Sequence, residues 1–311
     1  MIGKGTEKVL NSTSKDNVFI FFSDHGYDNQ IGFPRGCIVT DELIGALKKM
    51  HDKKMYNKLV FYLESVHSGS MFEGALPEDI NIYATTASGP NEFSYGTYCF
   101  NDSYVNGTFM DTCLGDEFST HWMEHIDSLD DLSNVTLEEQ FEIVSQLMNK
   151  SHIHKYGDKS IGKEALSDYF GKCSVIDYIL GLFSEKKSIP LDKGRYMMVN
   201  SQDMKLEYLK RRAERTNDID DYKEYLEEVK MAERTRIIFD IFKKKFNIPE
   251  VRESKEIDFD CLRQSTRWYD ELCGMDHDRD HKYINYFTTF CTMKLSSWKV
   301  YHTFKDLCSK L

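Results

Sequence analysis

Proline and glycine are scarce in this 311-residue chain, at 5 and 18 residues. That scarcity excludes a collagen-like, low-complexity or largely disordered polypeptide. Long apolar runs are missing too. The longest, such as Val18–Phe22 and Leu59–Leu63, fall far short of the roughly 20 residues that cross a bilayer, so no membrane span is expected. Positive charge is in deficit: 40 Lys and Arg face 51 Asp and Glu, a formal charge of −11, and a nucleic-acid partner is not expected. No C-x-x-C pair occurs, which argues against a zinc knuckle, and there is no internal repeat. The residues after Met1, Ile2 to Lys8, lack the apolar core of a secretory signal and, taken literally, keep the chain in the cytosol.

What is present suits a large domain, or two of ordinary size, with a buried core: 41% of residues are hydrophobic and 13% aromatic. Two features oppose the cytosolic reading. N-x-S/T sequons stand at Asn11, Asn101, Asn106, Asn134 and Asn149, where chance supplies about two. Eight cysteines are also present. Together they predict a secreted architecture whose N-terminal segment is missing from this chain.

Three runs, Asn17–Ser23, Lys58–Glu64 and Ile80–Thr86, are apolar on both faces and predict strands covered on both sides, as in a parallel α/β sheet. Between the first two, Leu43, Ile44, Leu47 and Met50 share one helical face, with Thr40 or Asp41 as the expected cap. This β-α-β unit places polar residues just past the carboxyl ends of its strands, where ligands bind in open α/β sheets. The site is therefore expected at His25 and residues 64–70.

From about Thr136 the pattern turns helical, with Leu137, Phe141, Val144 and Met148 at three- and four-residue steps. Residues 185–194 read as a linker, and residues 204–246 as solvated amphipathic helices rich in Lys, Arg and Glu. Cys261, Cys273, Cys291 and Cys308 fit two disulfides stapling a small helical bundle, with three possible connectivities, or four reduced core thiols if the chain is cytosolic.

A histidine directly after a buried strand and before a glycine, as in His25-Gly26, is a candidate general base beside a backbone oxyanion donor. A second strand that ends in Glu64 and runs into Ser68-Gly69-Ser70 adds the kind of sharp turn that presents a nucleophile. Ser23-Asp24-His25-Gly26, the stretch Lys54 to Glu64, Ser68-Gly69-Ser70-Met71, Asn81 to Ala87, Leu114-Gly115-Asp116 and Trp122-Met123-Glu124 together resemble the legumains, the asparaginyl endopeptidases. The likeness continues through Ser151-His152 and Tyr156-Gly157 into the four-cysteine region, which resembles the legumain prodomain.

The resemblance implies an α/β fold, a caspase-like and mostly parallel sheet, followed by an all-α, death-domain-like prodomain that caps the active site. It implies that His25 is the catalytic imidazole, that Gly26 donates to the oxyanion, and that Asp24, Glu64, Ser94 and Asp116 line a pocket for asparagine. The implied bridges are Cys261–Cys291 and Cys273–Cys308. Residues 209–218 resemble an activation segment, with Asn217 as the processing position. Pairing between the acidic body and this basic segment would weaken on acidification as carboxylates protonate.

Two departures matter more than the agreements. Where the family carries its cysteine nucleophile, after Glu and Ala, this chain has Glu64-Ser65-Val66, and an isopropyl group cannot attack a carbonyl. His67 replaces the next glutamate and is read as an exposed loop histidine; with His25 it makes only two imidazoles, too few for a metal site. The family also carries two strands and a pocket arginine ahead of the matching segment, so an exposed sheet edge and a truncated gene model are expected. The organisation predicted is a peptidase-like domain over 1–190, a linker and activation segment over 191–222, and a helical prodomain over 223–311. The function expected is that of an asparagine-directed cysteine endopeptidase by lineage, inactive as written, or a non-catalytic pseudo-peptidase that binds peptides or regulates an active relative. No cofactor is expected. Asn-containing peptides are the expected partners, in a lysosomal or secreted setting.

Overall fold

The computed structural model describes residues 9–33, 36–171, 197–249 and 256–310. The predicted linker at 185–194, the 190/191 boundary and Cys173 lie outside the described residues. Strand β1 (Asn17–Ser23) leads into a small antiparallel sheet of β2 (Gly26–Tyr27), β3 (Gln30–Gly32) and β4 (Cys37–Val39). Helix α1 (Thr40–Asp52), strand β5 (Lys58–Glu64) and strand β6 (Ile82–Thr86) complete the β-α-β unit. Short strands follow: β7 (Tyr95–Thr97), β8 (Tyr104–Val105), β9 (Thr108–Phe109) and β10 (Gly115–Asp116). Then come α2 (Glu117–Ser128), α3 (Leu137–Leu147), β11 (His154–Gly157), α4 (Ser167–Phe170) and β12 (Val199–Asn200). The chain ends in helices α5 (Met204–Thr216), α6 (Ile219–Phe246), α7 (Phe259–Cys273), α8 (His277–Thr292) and α9 (Trp298–Cys308).

The main sheet has the order β1-β5-β6-β11, with the first three strands parallel and β11 antiparallel. Leu43, Ile44, Leu47 and Met50 of α1 pack on one face with Leu59, Phe61 and Leu63. Val60, Tyr62 and Tyr83 point the other way, into a cluster with Phe118, Trp122, Leu137 and Val144 from α2 and α3. Burial on both faces accounts for the continuous apolar runs. Strand β1 is the edge of this sheet, and Phe19, Ile20, Phe21 and Phe22 are only partly buried.

Two readings change. Neither Thr40 nor Asp41 caps α1: the cap position is Val39, whose N–H donates to Glu42 at 3.3 Å, while Thr40 is buried and turns its hydroxyl toward Asn29. The chain beyond Thr136 is not wholly helical, because β11 returns to the main sheet. Thr136 itself accepts from the Glu139 N–H at 3.1 Å and starts α3. Residues 204–216 and 219–246 form α5 and α6, the helices expected over 204–246.

The C-terminal helices bury Ile238, Phe239, Phe242, Phe287, Phe290 and Phe304 in one core, and Tyr27 and Val39 of the small sheet join it. Disulfides connect Cys261 to Cys291 and Cys273 to Cys308, the pairs that the resemblance implies. A third, Cys99–Cys113, closes the loop that carries β8 and β9. No helix among the described residues is long and apolar enough to cross a membrane.

Candidate active site

Parallel pairing of β1 with β5 puts Ser23 opposite Glu64, so both strands end at one place. The residues just beyond them, His25 and Val66, therefore meet at the carboxyl edge of the sheet. Asp24 N–H donates to the Glu64 carbonyl at 3.3 Å, and the Asp24 carboxylate accepts from His25 N–H at 2.7 Å, which fixes the bend. Glycine is required at position 26, because a Cβ there would lie 2.0 Å from the Val66 carbonyl oxygen.

A cavity of about 200 Å3 opens at this edge, lined by Asp24, His25, Glu64, Val66, Ser94 and Asp116 together with Ser23, Ser201, Met204 and Asp278. Every side chain expected in the pocket thus borders one space. Ser201, Met204 and Asp278 were not anticipated. They stand far away in sequence, and no motif there marks them.

Glu64 is 2% exposed. One oxygen accepts from the Ser119 N–H at 2.7 Å, in the first turn of α2, while Oε1 has no hydrogen-bond partner among the described residues. Burial first, and then the Asp116 carboxylate, push Glu64 well above the usual carboxylate range, against the Ser119 bond. Burial pushes Asp116 up to about 6, with His25 opposing. Ser94 Oγ lies 3.2 Å from Ser201 Oγ.

His25 Nε2 donates to Asp278 of α8 at 2.8 Å, and its ring stacks on His281 at 5.8 Å. Burial disfavours its imidazolium, but Asp278, with Asp24 and Asp116 behind it, outweighs burial and raises its pKa. Four further hydrogen bonds join the small sheet to the C-terminal helices. Asp28 N–H donates to Asn285 Oδ1 at 2.8 Å, and Thr288 donates to the Asp28 carbonyl at 2.9 Å. Thr266 donates to Gln30 at 2.9 Å, and Tyr27 Oη is 2.6 Å from His277 Nδ1. Helix α8 thus packs against the small sheet, and its Asp278 borders the cavity.

Val66 is 3% exposed, at the position where the resemblance places a sulfur nucleophile. His67 corrects an expectation. It is 8% exposed rather than a solvent-facing loop residue, in left-handed backbone with φ of 53°. Its Nδ1–H donates to the Pro90 carbonyl at 2.9 Å, and Nε2 accepts from Asn285 Nδ2 at 3.2 Å. Ser65 Oγ is buried without a hydrogen-bond partner among the described residues, and it is absent from the cavity lining. Cys37 lines a separate cavity beside Arg263 and Thr266, and burial pushes its thiol up to about 12. Among the described residues no group of three His, Cys, Asp or Glu side chains is arranged to hold a metal ion. Asn11, Asn101, Asn106, Asn134, Asn149 and Asn217 are all exposed; Asn217 joins α5 to α6 in left-handed backbone.

A model of the Peptidase C13 family matches residues 1–172. The vacuolar-processing enzyme delta-isozyme of Arabidopsis thaliana is 32% identical over 327 residues, which cover 98% of this chain and 69% of that enzyme. Legumain of Mus musculus is 38% identical over 220 residues, 70% of this chain and 46% of that protein. Hemoglobinase of Schistosoma japonicum is 39% identical over 217 residues, 69% of this chain and 47% of that protein. The chain thus spans about two thirds of the plant relative and less than half of the animal ones. With the parallel sheet, the histidine at its carboxyl edge and the helical C-terminal part on the page, the chain belongs to the peptidase C13 family, the legumains.

Proposed function

We propose that this chain carries the asparagine-reading pocket of a legumain peptidase without the group that performs the first chemical step. The observation that carries the reading is Val66, buried on the wall of the cavity that also holds His25, Glu64, Ser94 and Asp116. In the lineage's reaction a cysteine sulfur adds to the carbonyl carbon after asparagine. His25 takes the thiol proton and returns it to the leaving amine, Gly26 N–H holds the oxyanion, and water then hydrolyses the thioester. A valine supplies neither the electron pair nor the proton, and losing the nucleophile removes almost all covalent catalysis.

The pocket keeps its recognition chemistry. Glu64, its pKa raised by burial, donates to a guest amide oxygen, while Asp116 and Ser94 accept from the amide N–H groups. A site built to hydrogen-bond a group rejects analogues that lack it. A second reading, a regulatory pseudo-peptidase, is favoured by Asp278 and Asn285, which hold α8 over the cavity as an inhibitory cap. In this reading residues 1–190 form the peptidase-like body, 191–222 the activation segment and 223–311 the prodomain, with processing at Asn217. The exposed sequon asparagines and the three disulfides support a glycosylated protein of an oxidising, lysosomal or secreted route.

The test is Val66→Cys, freed of its C-terminal helices by limited proteolysis and assayed on an asparaginyl peptide. Turnover gained only by the variant supports a peptidase without its nucleophile; turnover already present in the parent overturns it.

A further inference from the structure

A second cavity, of about 170 Å3, lies where the small sheet meets α7, and the peptidase reading leaves it unused. Gln30 of β3, Cys37 and Val39 of β4, and Thr266 and Asp270 of α7 line it, with Met275 just past the helix end. Pairing explains the sheet side. Gln30 stands opposite Val39, and Cys37 is two residues from Val39, so the three share one face. Helical spacing explains the other side. Arg263, Thr266, Arg267 and Asp270 recur at steps of three and four, on the face of α7 that packs against β4. Gln30 is fully buried. Its Oε1 accepts from Thr266 Oγ1 at 2.9 Å, but Nε2 has no hydrogen-bond partner among the described residues. A buried amide with an open N–H is costly, and this one borders a cavity.

Charge and hydrogen bonding narrow the guest. Arg263 and Arg267 also line the cavity, and both are already matched: Arg263 with Glu42 at 2.7 Å and Asp260 at 2.6 Å, Arg267 with Glu271 at 2.7 Å. The two guanidiniums oppose a cationic guest, while their carboxylates and Asp270 oppose an anionic one. Gln30 Nε2 calls for an acceptor. Asp270 accepts from Met275 N–H at 3.3 Å and, as a carboxylate, has lone pairs left for a second donor. Val39 and Met275 supply apolar wall. A neutral group that carries a carbonyl beside an N–H meets all of these conditions.

We infer that this cavity binds a small neutral carboxamide, whose carbonyl accepts from Gln30 Nε2 and whose N–H donates to Asp270. The guest bridges β3 to α7 and so fastens the C-terminal helices to the sheet. It also braces the strand behind the catalytic edge, because Ile31 pairs with Gly26 and Gly32 N–H donates to the His25 carbonyl at 2.7 Å. The inference does not depend on the peptidase reading, since none of its contacts lies in the cavity of His25 and Glu64.

Isobutyramide and isobutyrate, alike in shape but neutral and anionic, test it when titrated into the full nitrogen-15-labelled chain at neutral pH. The Gln30 side-chain NH2 resonances are identified by their loss in Gln30→Met. In the parent, isobutyramide shifts them with half-saturation at about 1–10 mM, the range open to so small a ligand, and raises the melting temperature. Isobutyrate at the same concentrations does neither. Gln30→Met, with the parent circular dichroism, loses the melting-temperature rise. Asp270→Asn, at a half-buried position, removes the opposing charge and narrows the preference for amide over carboxylate by at least about fivefold. An equal response to both compounds, a shift that never saturates, or a melting-temperature rise that survives in Gln30→Met overturns the inference. A rise that is lost in Glu64→Gln instead places the amide in the catalytic-edge cavity and overturns it equally.

Discussion

Two buried carboxylates, in two regions of the molecule, show the difference between a binding site and a joint. Asp280, at the start of α8, is 1% exposed and fully employed. It accepts from Thr235 Oγ1 at 2.9 Å, Tyr269 Oη at 2.9 Å, Asp276 N–H at 3.0 Å and Arg279 Nε at 3.1 Å. Glu64, in the cavity, is as deeply buried, yet one oxygen is left without a partner beside a second carboxylate. Leaving a buried polar atom unmade costs free energy, and under the proposed function a guest amide would complete the set at Glu64. Asp280 holds α8 in place.

Four measurements sharpen or break this contrast. The largest effect belongs to Asp280→Ala, which strands Arg279, Tyr269 and Thr235 and lowers unfolding stability by about 3–5 kcal/mol in urea titration. Its counterpart Glu64→Gln leaves stability equal or higher at neutral pH. Equal losses at both positions would erase the distinction.

Next is His281, 1% exposed, whose burial pushes its pKa down to about 4 while Nδ1 donates to the His277 carbonyl at 2.8 Å. A base whose folded pKa is depressed weakens the fold as pH falls below its ordinary value of 6.5. His281 therefore costs stability progressively between that value and about 4, by about 3 kcal/mol at the acid end. Destabilisation of the C-terminal helices by acid thus has an imidazole cause as well as the carboxylate cause expected from composition. His281→Gln flattens the acid limb of a melting-temperature profile; an unchanged limb rules His281 out.

Glu64 and Asp116 give the opposite slope. Both are raised by burial, so the folded state holds protons that the unfolded chain has lost. Their contribution is present at low pH and declines as pH rises from the ordinary carboxylate range, for Asp116 through about 6. In Glu64→Gln that decline becomes shallower, as read in melts between pH 4 and about 7.

The smallest effect is Asp278→Asn. The pair with His25 is partly solvated, so its loss costs under about 1 kcal/mol. Its signature is spectroscopic: the His25 imidazole resonance titrates at lower pH once its carboxylate is gone. With its pKa raised, His25 contributes its share below the ordinary value, and that share is lost as pH rises through the raised value. Between the lowered Asp278 pKa and the raised His25 pKa the pair favours the docked helix α8, opposing His281.

Much of the site was legible because its residues sit at the ends of strongly patterned strands. The runs at 17–23 and 58–64 announce β1 and β5, and parallel pairing then brings Asp24, His25, Glu64 and Val66 to one edge. Ser94 and Asp116 came from the resemblance alone; their strands β7 and β10 are too short to carry a period. Strand β11, His154-Lys155-Tyr156-Gly157, was missed because its polar residues mask any alternation. Asp278 reaches the cavity, and Asn285 reaches His67, through the docking of helices more than 200 residues away, which no local pattern encodes. Cys99 and Cys113 carried a weak signal, an even pair flanking a short polar loop, that went unread beside the four C-terminal cysteines.

The central claim is that the cavity wall presents hydrocarbon where the lineage presents sulfur. Intact-mass analysis of the purified parent and of Val66→Cys, each incubated at acid pH with an asparaginyl peptide bearing a thiol-reactive electrophile, tests it directly. The account predicts one adduct, at position 66, on the variant and none on the parent. An adduct on the parent that requires His25 would contradict it.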